Sequence, residues 1–226
     1  MILVVLAGCN QVRSGFRPTF TQEALAGATT LERFEGEPTI RDGVDIQKES
    51  DDLRREGWVS VGYTVFAEDF TAEQQLRSLA KEYKAELITR YRVDQRGSSS
   101  IVPITTGSGT IFVPSYSSTT TLGAVLWMRN KRIYLSVYGR NLTEQEAAKR
   151  NDANGAYIGL IVRGGAAERG GLKEVDIVSS VGGKDIISYA DMLRTYHGMH
   201  ITSIDFRVTR DGQTQTIAIP KDPPTE

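Results

Sequence analysis

The first half of the chain alternates blocks of β-branched and aromatic residues with polar stretches. Three such blocks, at residues 58–66, 87–93 and 122–128, have the composition of buried strands. The shorter run Pro38–Ile40 predicts a further strand ahead of them. The pattern therefore predicts a sheet in this part of the chain.

Two helices are predicted between these strands. Residues 47–56 are highly charged, with Leu53 as the apolar anchor and Gly57 as the stop, which predicts an exposed helix. A second helix is expected to begin at Thr71–Gln74, because this segment has the spacing of a capping box. Its apolar residues share one helical face: Leu76, Leu79, Ala80 and Tyr83.

A stretch rich in Ser, Thr and Gly, residues 95–121, separates the last two of these strands. It is interpreted either as a long hairpin, with Ile111–Val113 pairing near its tip, or as a mobile loop. Residues 37–130 as a whole are predicted to form a small α/β sandwich domain.

The second half of the chain shows short elements with well-marked ends. Thr143 and Glu146 have the spacing of a capping box, and Ser188 is placed to start a helix that ends at Gly198. The pair Asp211-Gly212 between two apolar runs is a strong hairpin signal. Strands are predicted at residues 132–138, 155–162, 204–210 and 213–219.

Small residues recur in this half in a particular order. The positions are Gly164–Ala167, Gly170–Leu172, Val175–Val178 and Gly182-Gly183. This order resembles a bacterial PDZ domain over residues 131–220, with Ala166 in place of proline and Val175 in place of glycine. Leu172 is expected to fill the core, and Asp176 to hold the adjacent turn. The resemblance implies a partly open β-barrel with two helices, so the whole chain is expected to be α+β.

PDZ domains bind extended peptides, usually at a free C-terminus, by adding a strand to the edge of a sheet. The resemblance places the receiving loop and strand at Ile133, Tyr134, Leu135, Ser136, Val137 and Tyr138. It places the facing helix wall at Tyr189, Met192, Leu193 and Tyr196. Because this wall is apolar, a preference for an apolar C-terminal side chain is expected.

Two alternatives stay open for this site. The side chains of Leu135, Val137 and Leu193 fit a core position as well as a groove position. Ser136 stands near the position where the family's loop usually has a glycine. An internal peptide or a neighbouring domain is therefore an alternative to a free C-terminus as the occupant of the groove.

The first nine residues form an apolar run that ends in Leu6-Ala7-Gly8-Cys9. This resembles the lipobox of bacterial lipoproteins, in which the cysteine is lipidated and becomes the mature N-terminus. Residues 1–9 are therefore interpreted as a signal, residues 10–36 as a linker and residues 221–226 as a tail. A buried strand that ends in a free cysteine is the alternative.

The composition excludes several kinds of binding site and leaves few candidates for catalysis. With 27 Lys and Arg against 28 Asp and Glu, the chain has no basic excess for non-specific nucleic-acid binding. A single cysteine excludes an intramolecular disulfide and a cysteine-based zinc cluster. Ser78 and Lys81 have a dyad spacing but lie within the predicted amphipathic helix, and His197 and His200 are interpreted as turn residues. No catalytic residue, metal or cofactor is predicted.

The middle of the chain also resembles the N-terminal part of bacterial secreted or lipoprotein-type proteins that end in a PDZ domain. The matching stretches are Gly57–Tyr63, the Ser/Thr-rich insert, Ala124–Trp127 and Arg140–Thr143. The expectation is a non-catalytic lipoprotein of the bacterial cell envelope, periplasmic or outer-membrane-anchored through a lipid on Cys9, that binds protein partners. A regulatory or client-presenting companion of a separate envelope serine protease is the alternative.

Overall fold

The computed structural model describes residues 11–28, 30–67, 71–93, 102–106, 109–113, 121–130 and 135–221. The chain divides into two compact units, the first made of residues 1–53 and 58–131 and the second of residues 54–57 and 132–226. No helix within the described ranges is long and apolar enough to cross a membrane.

The first unit is built on one five-stranded sheet. The elements of the unit are α1 Gln11–Ser14, β1 Arg17–Pro18, α2 Gln22–Gly27, β2 Thr39–Gly43, α3 Ile46–Arg55, β3 Trp58–Ala67, α4 Ala72–Glu82, β4 Leu87–Val93, β5 Val102–Thr106, β6 Gly109–Val113 and β7 Thr121–Arg129. The strands of the sheet lie in the order β1-β3-β7-β4-β2, with β2 and β4 parallel and the other pairs antiparallel. Residues 122–128 of β7 are all buried, as expected for the central strand.

Both faces of this sheet are covered. Alternate residues of β7 belong to two separate apolar clusters, so the clusters lie on opposite faces. Leu76 and Leu79 of α4 pack into one of them, which confirms the predicted apolar face of this helix. The predicted capping box at Thr71 is wrong: Thr71 has helical dihedral angles and makes no cap bond, and its hydroxyl accepts instead from the Gln75 amide at 2.7 Å.

The predicted linker at residues 10–36 is wrong for its described part. Val12 and Phe16 are 1% and 8% exposed and lie in the core of the first unit. The Val12 carbonyl accepts a hydrogen bond from the buried Thr64 hydroxyl at 2.7 Å, and Arg17 pairs with Tyr63 in the sheet. This segment is therefore part of the folded unit.

Within the Ser/Thr/Gly-rich insert, β5 and β6 form the two arms of an antiparallel hairpin. The residues Ile111–Val113 that were predicted to pair belong to β6. Apart from Thr121 at the start of β7, the rest of the insert lies outside the described residues.

The second unit is built on a second sheet. The elements of the unit are β8 Val137–Asn141, α5 Glu144–Arg150, β9 Ala156–Ile161, α6 Ala166–Arg169, β10 Ile177–Val181, β11 Lys184–Asp185, α7 Tyr189–Gly198, β12 Ser203–Arg210 and β13 Gln213–Pro220. The strands lie in the order β13-β12-β10-β9-β8, with β11 paired to β10. The capping box at Thr143 and Glu146, the Ser188 cap and the hairpin turn at residues 211–212 form as predicted.

The core of this unit contains a buried carboxylate. The Asp176 side chain is fully buried, accepts from the Lys173 backbone N–H at 2.8 Å and pairs with Arg210 through two contacts of 2.7 Å. Leu172, 3% exposed, fills the core beside this turn, as expected. Val175 holds the left-handed backbone of the turn at φ 75°.

Candidate functional site

The strand β8 lies at one end of the second sheet. Among the described residues it pairs with β9 alone, so its other edge faces away from the sheet. The Val162 backbone N–H donates to the Ser136 carbonyl at 2.9 Å on the β9 side. Because backbone groups alternate in direction along a strand, the N–H and C=O of Val137 point to the free edge. Helix α7 contacts β8 on this side.

A left-handed residue precedes β8. Ser136 has φ 62°, a backbone conformation that favours glycine. For this reason the predicted strand at 132–138 is misplaced: its described residues Leu135 and Ser136 form a loop, and the strand begins at Val137 and extends to Asn141. This agrees with the expectation that Ser136 stands at the position of a loop glycine.

The start of α6 fixes this loop. The Ala167 N–H donates to the Leu135 carbonyl at 3.2 Å. Gly165 lies so close to Ser136 that a Cβ built on Gly165 would overlap the Ser136 side chain. The loop is therefore held in one conformation by backbone contacts and by close packing.

The ten residues predicted for the groove fall into three groups. Five are buried: Leu135, Val137, Met192 and Tyr196, which belong to the apolar core, and the polar Ser136. Three are partly exposed, so that their side chains remain accessible: Tyr138, Tyr189 and Leu193. Ile133 and Tyr134 lie outside the described residues, as does Cys9. For the side chains of Leu135 and Val137 the core interpretation is the correct one.

Tyr189, the first residue of α7, lies across the edge of β8. Its hydroxyl donates to the Val137 carbonyl at 3.0 Å. Its ring lies against Gly139, because a Cβ built there would be 2.7 Å from the ring atom Cε2. Burial raises the pKa of this phenol to about 12, against a smaller lowering effect of the neighbouring Gly139 backbone.

Two residues at this site were missed from the sequence. The Asn141 side-chain oxygen accepts from the Tyr189 backbone N–H at 2.9 Å and so joins the end of β8 to the start of α7. Gly139 lies at a β-bulge and leaves room for the Tyr189 ring. A glycine within a strand indicates a bulge or a close approach, so this signal was present in the sequence.

The charges near the end of β8 are paired. Arg140 contacts Glu146 at 2.7 and 2.8 Å, and its guanidinium lies 4.1 Å from the centre of the Tyr157 ring. The Arg140 hydrogen bonds, with those from Thr143, lower the pKa of Glu146 to about 2. In the described part of the chain no group of His, Cys, Asp and Glu could hold a metal ion.

Ser78 and Lys81, which have the spacing of a dyad, lie on the surface of the first unit. Ser78 and Lys81 are both exposed on α4, and Lys81 forms an ion pair with Glu37. His197 and His200 are also exposed residues. The pKa of His197 is lowered, first by partial burial of its ring and second by the nearby charge of Lys221.

A model of the PDZ domain family matches residues 128–193. Among solved structures, the HtrA3 PDZ domain bound to a phage-derived ligand is 16% identical with a TM-score of 0.35, over 39% of this chain and 84% of that one. The PDZ domain of EpsC from Vibrio cholerae is 20% identical with a TM-score of 0.29, over 39% of this chain and 98% of that one. The HtrA-type protease AlgW with a decapeptide is 18% identical with a TM-score of 0.33, over 54% of this chain but only 42% of the protease chain. The family match includes the loop before β8, the strand β8 and the first half of α7, and on this basis the chain carries a PDZ domain at residues 128–193.

Proposed function

We propose that this PDZ domain binds an extended peptide segment of a protein partner as an additional strand along the free edge of β8. Three observations support this: no strand of the described part of the chain pairs with this edge, a glycine-like loop at Ser136 precedes it, and helix α7 contacts β8. Strand addition satisfies the edge with main-chain hydrogen bonds, and a pocket beside the edge gives side-chain specificity.

The loop at Ser136 supports recognition of a free C-terminal carboxylate. A left-handed residue within a turn brings neighbouring N–H groups into a concavity that binds anions. The Val137 N–H points to the free edge next to this turn. We therefore propose that backbone N–H groups around Ser136 hold the carboxylate, while the partly exposed Leu193 contacts an apolar terminal side chain.

The test is binding of the full chain to synthetic peptides that end in Val or Leu, each with a free and an amidated C-terminus. We expect amidation to weaken binding at least about tenfold, since it removes a charge-assisted hydrogen-bonded group. L193A is expected to weaken binding about 5-fold or more by removing apolar contact. R194A is the matched control, because the Arg194 side chain on the same helix is 76% exposed. Equal affinities for free and amidated peptides would refute the carboxylate site, and no binding at all would refute the proposed function.

We also propose that the chain is a non-catalytic lipoprotein of the bacterial cell envelope, anchored through a lipid on Cys9. The support is the position of the single cysteine after Leu6-Ala7-Gly8 and an apolar run. Labelled palmitate fed to bacteria that express the chain is expected to label it, and C9S is expected to remain unlabelled. Equal labelling of both proteins, or of neither, would refute the anchor.

A further inference from the structure

The free edge of β8 presents a small number of backbone groups to a ligand. The strand alternates, so the groups that face away from β9 belong to every second residue. In β8 these include the carbonyl of Val137 and, two residues further on, the N–H of Gly139. A peptide added as a strand would bond to both groups, because residues i and i+2 of a strand serve the same neighbour.

The Tyr189 side chain already covers both of these positions. Its hydroxyl donates to the Val137 carbonyl at 3.0 Å. Its ring lies directly on Gly139, since a Cβ built there would be 2.7 Å from the ring atom Cε2. One side chain thus makes the contact to Val137 that a backbone N–H of a bound peptide would make, and it covers the next residue on the same edge.

Several contacts hold the Tyr189 side chain in this position. Its ring packs against the apolar core of the unit. Its backbone N–H is bound to the Asn141 side chain at 2.9 Å, and Ser188 caps the helix just before it by accepting from the Asp191 N–H at 3.1 Å. The start of α7 and the end of β8 are therefore joined, and these contacts place the phenol at the edge of β8.

We propose that Tyr189 is an intramolecular latch that competes with peptide for the edge of β8. This rests on the proposed function of the same groove and adds its regulation. A ligand gains strand pairing beyond the Ser136 loop only when it displaces the phenol. The groove therefore binds isolated peptides with low affinity. It favours ligands whose terminal carboxylate and side chain contribute enough binding free energy to displace the ring.

The test compares the full chain with Y189F, which keeps the ring and removes only the hydroxyl. Peptides that end in Val or Leu with a free carboxylate serve as probes. We expect Y189F to bind them about 2- to 10-fold more tightly, since one competing hydrogen bond is lost. Y157F is the matched control: it removes a phenol hydroxyl from the adjacent strand β9, and its affinity should equal that of the parent.

A second measurement needs no ligand. Amide hydrogen exchange of Gly139 is expected to be slow in the parent chain and faster in Y189F, while amides that pair β8 with β9 keep their rates. Tighter peptide binding together with faster Gly139 exchange supports the latch.

Unchanged or weaker peptide binding by Y189F would overturn the latch and leave the proposed function standing, because the parent would still bind. Gly139 exchange that is equally fast in both proteins would also overturn it. If neither protein bound any peptide, the proposed function would fail, and the regulatory role of Tyr189 with it.

Discussion

The turn that contains Val175 offers a sharp test of the backbone argument. Val175 has φ 75°, and its N–H donates to the Ile158 carbonyl at 2.8 Å, which fixes it against β9. The next residue, Asp176, is tied to Lys173 and Arg210. The turn therefore cannot relax, and a β-branched residue is held where glycine is strongly preferred.

We expect V175G to stabilise the second unit by about 1 kcal/mol. Holding a non-glycine residue in the left-handed region costs about 1–3 kcal/mol, and V175G relieves this cost. The change also costs about 0.4–1 kcal/mol of stability, because glycine raises the conformational entropy of the unfolded chain. Val175 is 66% exposed, so the lost apolar burial costs only about 0.5 kcal/mol. Strain relief exceeds the two losses.

Ile187 supplies the matched control. It is also β-branched and is 68% exposed, but it is absent from the residues with positive φ. I187G therefore relieves no strain and is expected to destabilise the same unit by about 1 kcal/mol through chain entropy and lost burial. The two variants should differ in sign, although both replace an exposed aliphatic side chain with glycine.

The assay is native-state hydrogen exchange of the amides in β10 and β12, which reports the free energy of opening of the second unit. Both tryptophans, Trp58 and Trp127, belong to the first unit, so their fluorescence transition in denaturant serves as an internal control. A loss of stability in V175G as large as that in I187G would show that the φ angle of Val175 is not a source of strain.

Two further changes test the loop and the cap. We expect G165A to destabilise the second unit and to weaken peptide binding, because the added Cβ would overlap the Ser136 side chain. In the double variant, S136G should restore much of both losses. If neither hydrogen exchange nor peptide titration shows this restoration, the contact is refuted. The pKa of Glu146 is lowered from 4.5 to about 2, so its contribution to stability is complete above pH 4.5 and is lost as the pH falls towards 2. E146Q should remove this part of the pH dependence, and identical pH profiles of the two proteins would contradict it.

The elements that sequence patterns predicted best are those whose signals are local. The hairpin at Asp211-Gly212 depends on turn residues that adopt positive φ, and both residues do so. The caps at Thr143 and Ser188 depend on a side chain that reaches backbone within one turn of helix. Such contacts need no information from the rest of the fold.

The errors arose where distant residues decide the structure. Val12 and Phe16 are separated by polar residues, and their burial depends on the sheet of the first unit, to which Thr64 belongs. Thr71 has the right spacing for a capping box, but its helical dihedral angles take the hydroxyl away from the cap position. The role of Gly139 likewise depends on Tyr189, which is fifty residues further along the chain.

The central strand β7 has a consequence for synthesis of the protein. It is the last strand of its sheet to be made, and without it β1-β3 and β4-β2 are two separate strand pairs. The sheet cannot close on the ribosome until Arg129 has emerged. Until then the edges of β3 and β4 that face β7 stay open, and open strand edges are where nascent chains aggregate. The length of the insert between β4 and β7 therefore sets how long these two edges stay open during synthesis.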